Sequence, residues 1–126
     1  MKVLIDTHVL LWGLTDESKL SADVRSLLPK ADLWMSVAGI WEIITKVQIG
    51  KLELPRPVGS FLTGKLAGNG VSVLPINSNH VLRVETLELH HRDPFDRILI
   101  AQSLEENLPL VTADPVFGKY PVKLIW

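Results

Sequence analysis

Lys2-Val3-Leu4-Ile5-Asp6-Thr7 sets three aliphatic residues directly against a carboxylate. A short apolar run of this kind reads as a buried strand, and the acid falls where the chain turns into a helix. Leu110-Val111-Thr112-Ala113-Asp114 repeats the arrangement near the other end of the chain. Between the two, apolar runs alternate with helical stretches. A helix is expected from about Thr7 to Leu14, and Ser21 caps a second in which Val24, Leu27 and Leu28 fall at i, i+3, i+4. Asp32 to Met35 reads as the second strand, followed by a helix with Ile40, Ile43, Ile44 and Val47 on one face that stops near Gly50. Next come a helix with Phe61, Leu62, Lys65 and Leu66 ending at Asn69-Gly70, and a third strand from Val71 to Ile76. Asn77 or Ser78 caps a helix carrying Val81, Leu82, Val84 and Leu87, and a strongly apolar helix runs from Phe95 to Glu106. Leu110 to Thr112 is the fourth strand, Asp114-Pro115 opens a helical turn, and Val122 to Ile125 closes the series as a fifth. Parallel strands need crossover helices, so the alternation predicts an α/β fold. The expected architecture is a central parallel sheet of four to five strands with helices on both faces, in one domain over residues 1–126.

Composition narrows the function classes. With 126 residues the chain has room for one core. The absence of cysteine excludes a disulfide scaffold, a thiolate zinc site and a cysteine nucleophile. A net charge of −1 argues against a protein that coats nucleic acid by bulk charge, though not against a local site acting on it. Asp6, Thr7 and His8 interrupt the early apolar residues, so no signal peptide is expected. No stretch approaches the ~20 apolar residues of a membrane span. The expectation is a soluble, cytoplasmic protein.

The carboxylates are informative by position. In an open α/β sheet, ligands bind outside the carboxyl ends of the strands, near the point where strand order reverses. Asp6 and Asp114 are both placed there by their strands. Glu42 lies about two turns into its helix and points away from the Ile40, Ile43, Ile44, Val47 stripe. Asp96 sits in the first turn of a helix whose Ile98, Leu99, Ile100, Ala101 and Leu104 cover most of the cylinder. Each acid also has a purely structural role open to it. Asp6, Asp93 and Asp114 suit N-caps, the last two with proline at N1. Asp96 would be the reciprocal N3 of a capping box, and Glu42 an i, i+4 partner of Lys46. For Asp93 the cap is the preferred reading. Convergence shifts the balance for the rest. Two unit charges ~5 Å apart cost about 3 kcal/mol at an effective dielectric of ~20. A cluster of three or four requires an offsetting cation or proton. An all-oxygen donor set suits hard ions, Mg²⁺ or Mn²⁺ rather than zinc, and such ions assist phosphodiester hydrolysis.

Taken in order, these motifs are similar to a known family. Val3-Leu4-Ile5-Asp6-Thr7, Ser36 with Glu42 six residues on, Asp93-Pro94-Phe95-Asp96-Arg97-Ile98-Leu99-Ile100-Ala101-Gln102 and Val111-Thr112-Ala113-Asp114 resemble the PIN-domain nucleases. The resemblance is narrower still to the VapC-type toxins of toxin–antitoxin pairs, and it covers essentially the whole chain. It implies that Asp6, Glu42, Asp96 and Asp114 are catalytic and hold one or two Mg²⁺ or Mn²⁺ ions. Asp6 and Asp96 would be the firmest ligands, Glu42 would complete the site or orient the water, and Asp114 would be peripheral. Thr7, Ser36 and Thr112 would support them with hydroxyls. The implied reaction is endonucleolytic cleavage of RNA by a metal-activated water. The implied partners are the RNA, a small antitoxin protein that blocks the site, and a second copy in a homodimer.

Trp12, Trp34, Trp41 and Trp126 suit either the core or an interface, and Trp41 has the option of covering a neighbouring helix. Arg97 and Lys46 are open to phosphate contact but fit surface ion pairs better. Gly64, Gly68 and Gly70 follow a helix and precede a strand, the reverse of a phosphate loop. The side chains of His90 and His91 diverge as neighbours, which leaves no zinc site, and no Gly-x-Ser-x-Gly elbow occurs. A phosphoacceptor receiver domain wants an acidic pair after its first strand, where this chain has Asp6-Thr7. The remaining alternative is a non-catalytic module of the same fold that binds RNA or protein.

Overall fold

The computed structural model describes residues Met1–Trp126. Five strands form one parallel sheet in the order β3-β2-β1-β4-β5: β1 Lys2–Ile5, β2 Asp32–Ser36, β3 Val71–Leu74, β4 Leu110–Val111 and β5 Leu124–Ile125. β1 lies at the centre, with Val3 opposite Leu33 on β2 and Ile5 opposite both Met35 on β2 and Val111 on β4. Six α-helices connect them: α1 Thr7–Thr15, α2 Ala22–Leu27, α3 Val37–Gln48, α4 Val58–Gly68, α5 Ser78–Val84 and α6 Pro94–Glu105. The predicted α/β sheet is therefore present in full. Its third, fourth and fifth strands are shorter than the apolar runs that signalled them.

Side-chain alternation along the strands builds two cores, because successive residues face opposite sides of a sheet. Val3, Ile5, Leu33, Met35, Val71 and Val111 pack on one face against α1, α2, α3 and α4. Leu4, Leu74 and Leu110 pack on the other against Leu99, Ile100 and Ala101 of α6. Right-handed crossovers put the helices on one face while the chain moves outward from β1 to β3, and on the other once it returns to β4. The reversal falls between β1 and β4. Every crossover helix runs back from the carboxyl edge, so α1, α3 and α6 all begin there.

Local signals set the boundaries. Ser21 and Ser36 accept hydrogen bonds from Val24 N–H and Ala38 N–H at the starts of α2 and α3. Asn77 and His80 form a reciprocal capping box at α5. Asp93 caps α6 through Phe95 and Asp96 N–H, the role assigned to it. Gly64 and Gly68 lie within α4, and Gly70 takes φ +66° just beyond it, a conformation that favours glycine. Val81 and Leu82, read as apolar residues of α5, are exposed; the buried member of that helix is His80.

Candidate active site

Asp6 stands at the end of the central strand, beside the reversal in strand order. It is 5% exposed. Its N–H donates to Val111 C=O on β4, and its Oδ2 accepts the Thr112 hydroxyl at 2.8 Å. The backbone is in the N-cap position of α1, yet the side chain makes no cap hydrogen bond. The side-chain hydrogen bond it does make runs across the sheet to Thr112. Burial pushes its pKa up; the Thr112 hydroxyl and His8 oppose that rise, and Glu42 adds to it.

Glu42 projects from the second turn of α3 and is 7% exposed. Glu42 was expected on the side of α3 away from the aliphatic stripe; it is buried along with Ala38, Gly39 and Ile43, so the flank it occupies is covered rather than open. Lys46 one turn on places Nζ 2.9 Å from Glu42 Oε2, the predicted i, i+4 pair. Gly39 allows α3 to sit this close: a Cβ there would lie 2.6 Å from Met35 Cε and 3.1 Å from Thr7 Oγ1. Thr7, Ser36, Glu42, Phe95 and Asp96 share the walls of one narrow crevice with Gly39.

Asp96 occupies N3 of α6, where the helix dipole favours an anion. Burial nonetheless raises its pKa to about 6; the His91 hydrogen bond opposes the rise, and Asp93, Asp6 and Glu42 add to it. Desolvation and like charge outweigh the dipole. Its side chain pairs with His91, whose Nε2 lies 2.7 Å from Oδ2. The capping-box role considered for Asp96 gives way to this contact.

Asp114 differs. It is exposed, and its Oδ1 accepts Val116 N–H at the start of the 3-10 turn Pro115–Lys119. Its own N–H donates to Thr112 Oγ1, the oxygen that also serves Asp6. Thus Glu42 raises the proton affinity of both Asp6 and Asp96, Asp6 adds to that of Asp96, and Asp114 joins them through a shared threonine. No three His, Asp or Glu side chains are drawn into a ready-made coordination sphere. The donor chemistry still fits a hard divalent ion: two of the carboxylates have raised pKa values, and charge from their acidic neighbours contributes to both.

Sequence reasoning missed two participants. The His90-His91 pair carries no metal-site spacing, and its side chains do diverge, His90 to Glu88 and His91 to Asp96. Its loop has no periodicity that would have flagged it. Arg97 is neither a surface ion-pair residue nor free for phosphate. Its guanidinium donates to the carbonyls of Val84, Leu87, Glu88 and His91 and to Tyr120 Oη, at 3.0–3.4 Å. Tyr120 Oη in turn accepts His91 N–H at 3.0 Å and donates to Glu88 C=O at 2.8 Å. Arg97 and Tyr120 together fasten the loop that brings His91 onto Asp96.

Comparison with known proteins agrees with the α/β fold. A family profile described as PIN domain matches residues 3–123. No curated protein sequence matches the chain. Among solved structures, the chain is similar to one in VapBC2 from Rickettsia felis bound to a promoter DNA fragment, with 15% identity, TM-score 0.75 and coverage of 99% and 98% of the two chains. It is also similar to a chain of VapBC-1 from nontypeable Haemophilus influenzae, at 21% identity and TM-score 0.70 over 99% and 97%. A third is in FitAcB from Neisseria gonorrhoeae, at 20% identity and TM-score 0.69 over 100% and 97%. At these identities the likeness is one of fold.

Proposed function

The chain belongs to the PIN domain family, and from that premise we propose that it is a divalent-metal-dependent endoribonuclease, the toxin of a toxin–antitoxin pair. The observation that carries the reading is the cluster of Asp6, Glu42 and Asp96 at the carboxyl edge, with two pKa values raised by burial and neighbouring charge. Asp6 and Asp96 are the principal ligands for Mg²⁺ or Mn²⁺, Glu42 completes the set, and Asp114 is a peripheral ligand. One or two bound ions would polarise the phosphoryl oxygens and lower the pKa of an attacking water. The protein's own part is to hold the carboxylates ready. Thr112 orients Asp6, His91 orients Asp96, and Lys46 balances Glu42 while remaining able to turn toward a phosphate.

The partners that go with this role are an RNA strand, a small antitoxin protein and a second copy of the chain. Cytoplasmic action follows from the same role, and no helix here is long and apolar enough to cross a membrane. The decisive experiment incubates the purified protein with RNA and Mn²⁺, with and without chelator. Cleavage that the chelator abolishes, and that Asp6→Asn loses without unfolding, is the expected result. RNA binding with no cleavage under any divalent metal would reject the enzyme and favour a non-catalytic binding module.

A further inference from the structure

We propose that Trp41 and Phe95 form a stacking platform for an unpaired nucleobase beside the acid cluster, so that the strand presented for cleavage is single at that point. This rests on the ribonuclease reading and narrows it. Trp41 is 63% exposed. It is nevertheless fixed, because its ring meets that of Phe95 edge to face, with centroids 4.9 Å apart and planes at 83°. The sequence leaves Trp41 the option of covering a neighbouring helix. It does touch α6, yet most of its surface stays open.

Its location gives the open surface meaning. Trp41 directly precedes Glu42 on α3, and Phe95 directly precedes Asp96 on α6. Phe95 also lines the crevice shared by Glu42 and Asp96. Both helices that deliver a carboxylate to the crevice therefore deliver an aromatic ring in the adjacent position. Every nucleobase has a π-face, and stacking on an aromatic side chain needs the base to be free of its duplex neighbours. Lys46, one turn beyond Glu42 on α3 and 2.9 Å from its Oε2, adds a cation beside the acid cluster. A second copy of the chain suits this patch less well. The exposed apolar surface of α3 here is Val37 and Trp41, small against the ~800 Å² per partner of a stable interface. Self-association through it would also bring two acid clusters together.

The test measures fluorescence anisotropy of a labelled oligoribonucleotide of about ten nucleotides, within the span such grooves bind. It is used single-stranded and paired with its complement, in chelator and low salt so that no strand is cut. Wild type should prefer the single strand. Trp41→Ala should weaken single-strand binding about tenfold and erase the preference, while Trp41→Phe keeps most of it. Sedimentation velocity on the same proteins reads their association. Unchanged single-strand binding by Trp41→Ala overturns the platform alone, as does a wild type that binds neither strand while still cutting RNA in Mn²⁺. Loss of self-association together with RNA binding in Trp41→Ala assigns the ring to a subunit contact and overturns it too. A wild type that neither binds nor cuts RNA overturns the ribonuclease reading along with the platform.

Discussion

Asp6 and Asp114 stand at the carboxyl ends of adjacent strands, each in the N-cap position with extended backbone, at φ −67°, ψ 151° and φ −77°, ψ 118°. Their local sequences are nearly the same: an apolar strand, an acid, then a helical start. Asp114 does what that context suggests and caps the turn through Val116 N–H. Asp6 leaves the cap unmade, is buried, and accepts the Thr112 hydroxyl instead. Neighbourhood separates them. β1 is flanked by β2 and β4, and its end shares the carboxyl edge with the starts of α3 and α6. Beyond β4 lies a two-residue edge strand, and that end of the sheet stays open. A carboxylate at a strand end is only placed near a site; being covered is what charges it with chemistry.

The largest expected effect tests this contrast directly. Asp6→Asn should lower RNA cleavage about 10²–10³-fold, the scale of losing one electrostatic contributor to a transition state. It should not lower the unfolding free energy of the metal-free protein, since it removes a buried charge. Asp114→Asn should cost less than about tenfold. Equal losses in the two variants would break the comparison, and circular dichroism checks that both remain folded.

Asp96 offers the next effect, in the stability of the metal-free protein. Its pKa is raised from 3.8 to about 6, so the native state binds the proton more tightly than the unfolded chain does. The stabilisation is complete below about pH 4 and is lost as pH rises through about 6. Its size is about 3 kcal/mol at most, from two pKa units. Urea titrations across that range should show stability falling with pH and the slope flattening in Asp96→Asn. Excess Mg²⁺ at neutral pH should recover stability in wild type, by binding the native state alone.

Thr112 is the link between the two acids, donating to Asp6 Oδ2 and accepting Asp114 N–H. Thr112→Val should destabilise by about 1–3 kcal/mol, because a buried carboxylate loses its donor. In an Asp6→Asn background the cost should shrink, and a double-mutant cycle on urea midpoints reads the coupling. Additive losses would show that the threonine serves the strand rather than the acid. The smallest effect belongs to Asp114→Ala, about 0.5–1 kcal/mol for an exposed cap, measured in the same titration.

Much of this molecule was legible before its coordinates. The sheet, the caps at Ser21, Asn77 and Asp93, the Glu42–Lys46 pair and the helix stop at Gly70 all follow from patterns a few residues long. Features that need distant segments were less visible. Val81 and Leu82 are apolar residues of the expected helix, yet α5 is short, leaves them exposed and turns His80 inward instead. Arg97 looked like surface charge, because nothing adjacent shows that four carbonyls and a tyrosine hydroxyl will surround it. His91 reaches Asp96 only because that same guanidinium, with Tyr120, holds its loop in place.

By itself the chain of residues determined that carboxylates would sit where parallel strands end, since period and crossover geometry are local and repetitive. Folding in three dimensions decided which of them lost their water. Desolvation depends on what α3 and α6 bring over the end of β1, and those helices come from distant parts of the sequence. Two acids in nearly the same local setting therefore diverge, one into a helix cap and the other into a buried charge that a divalent cation would stabilise.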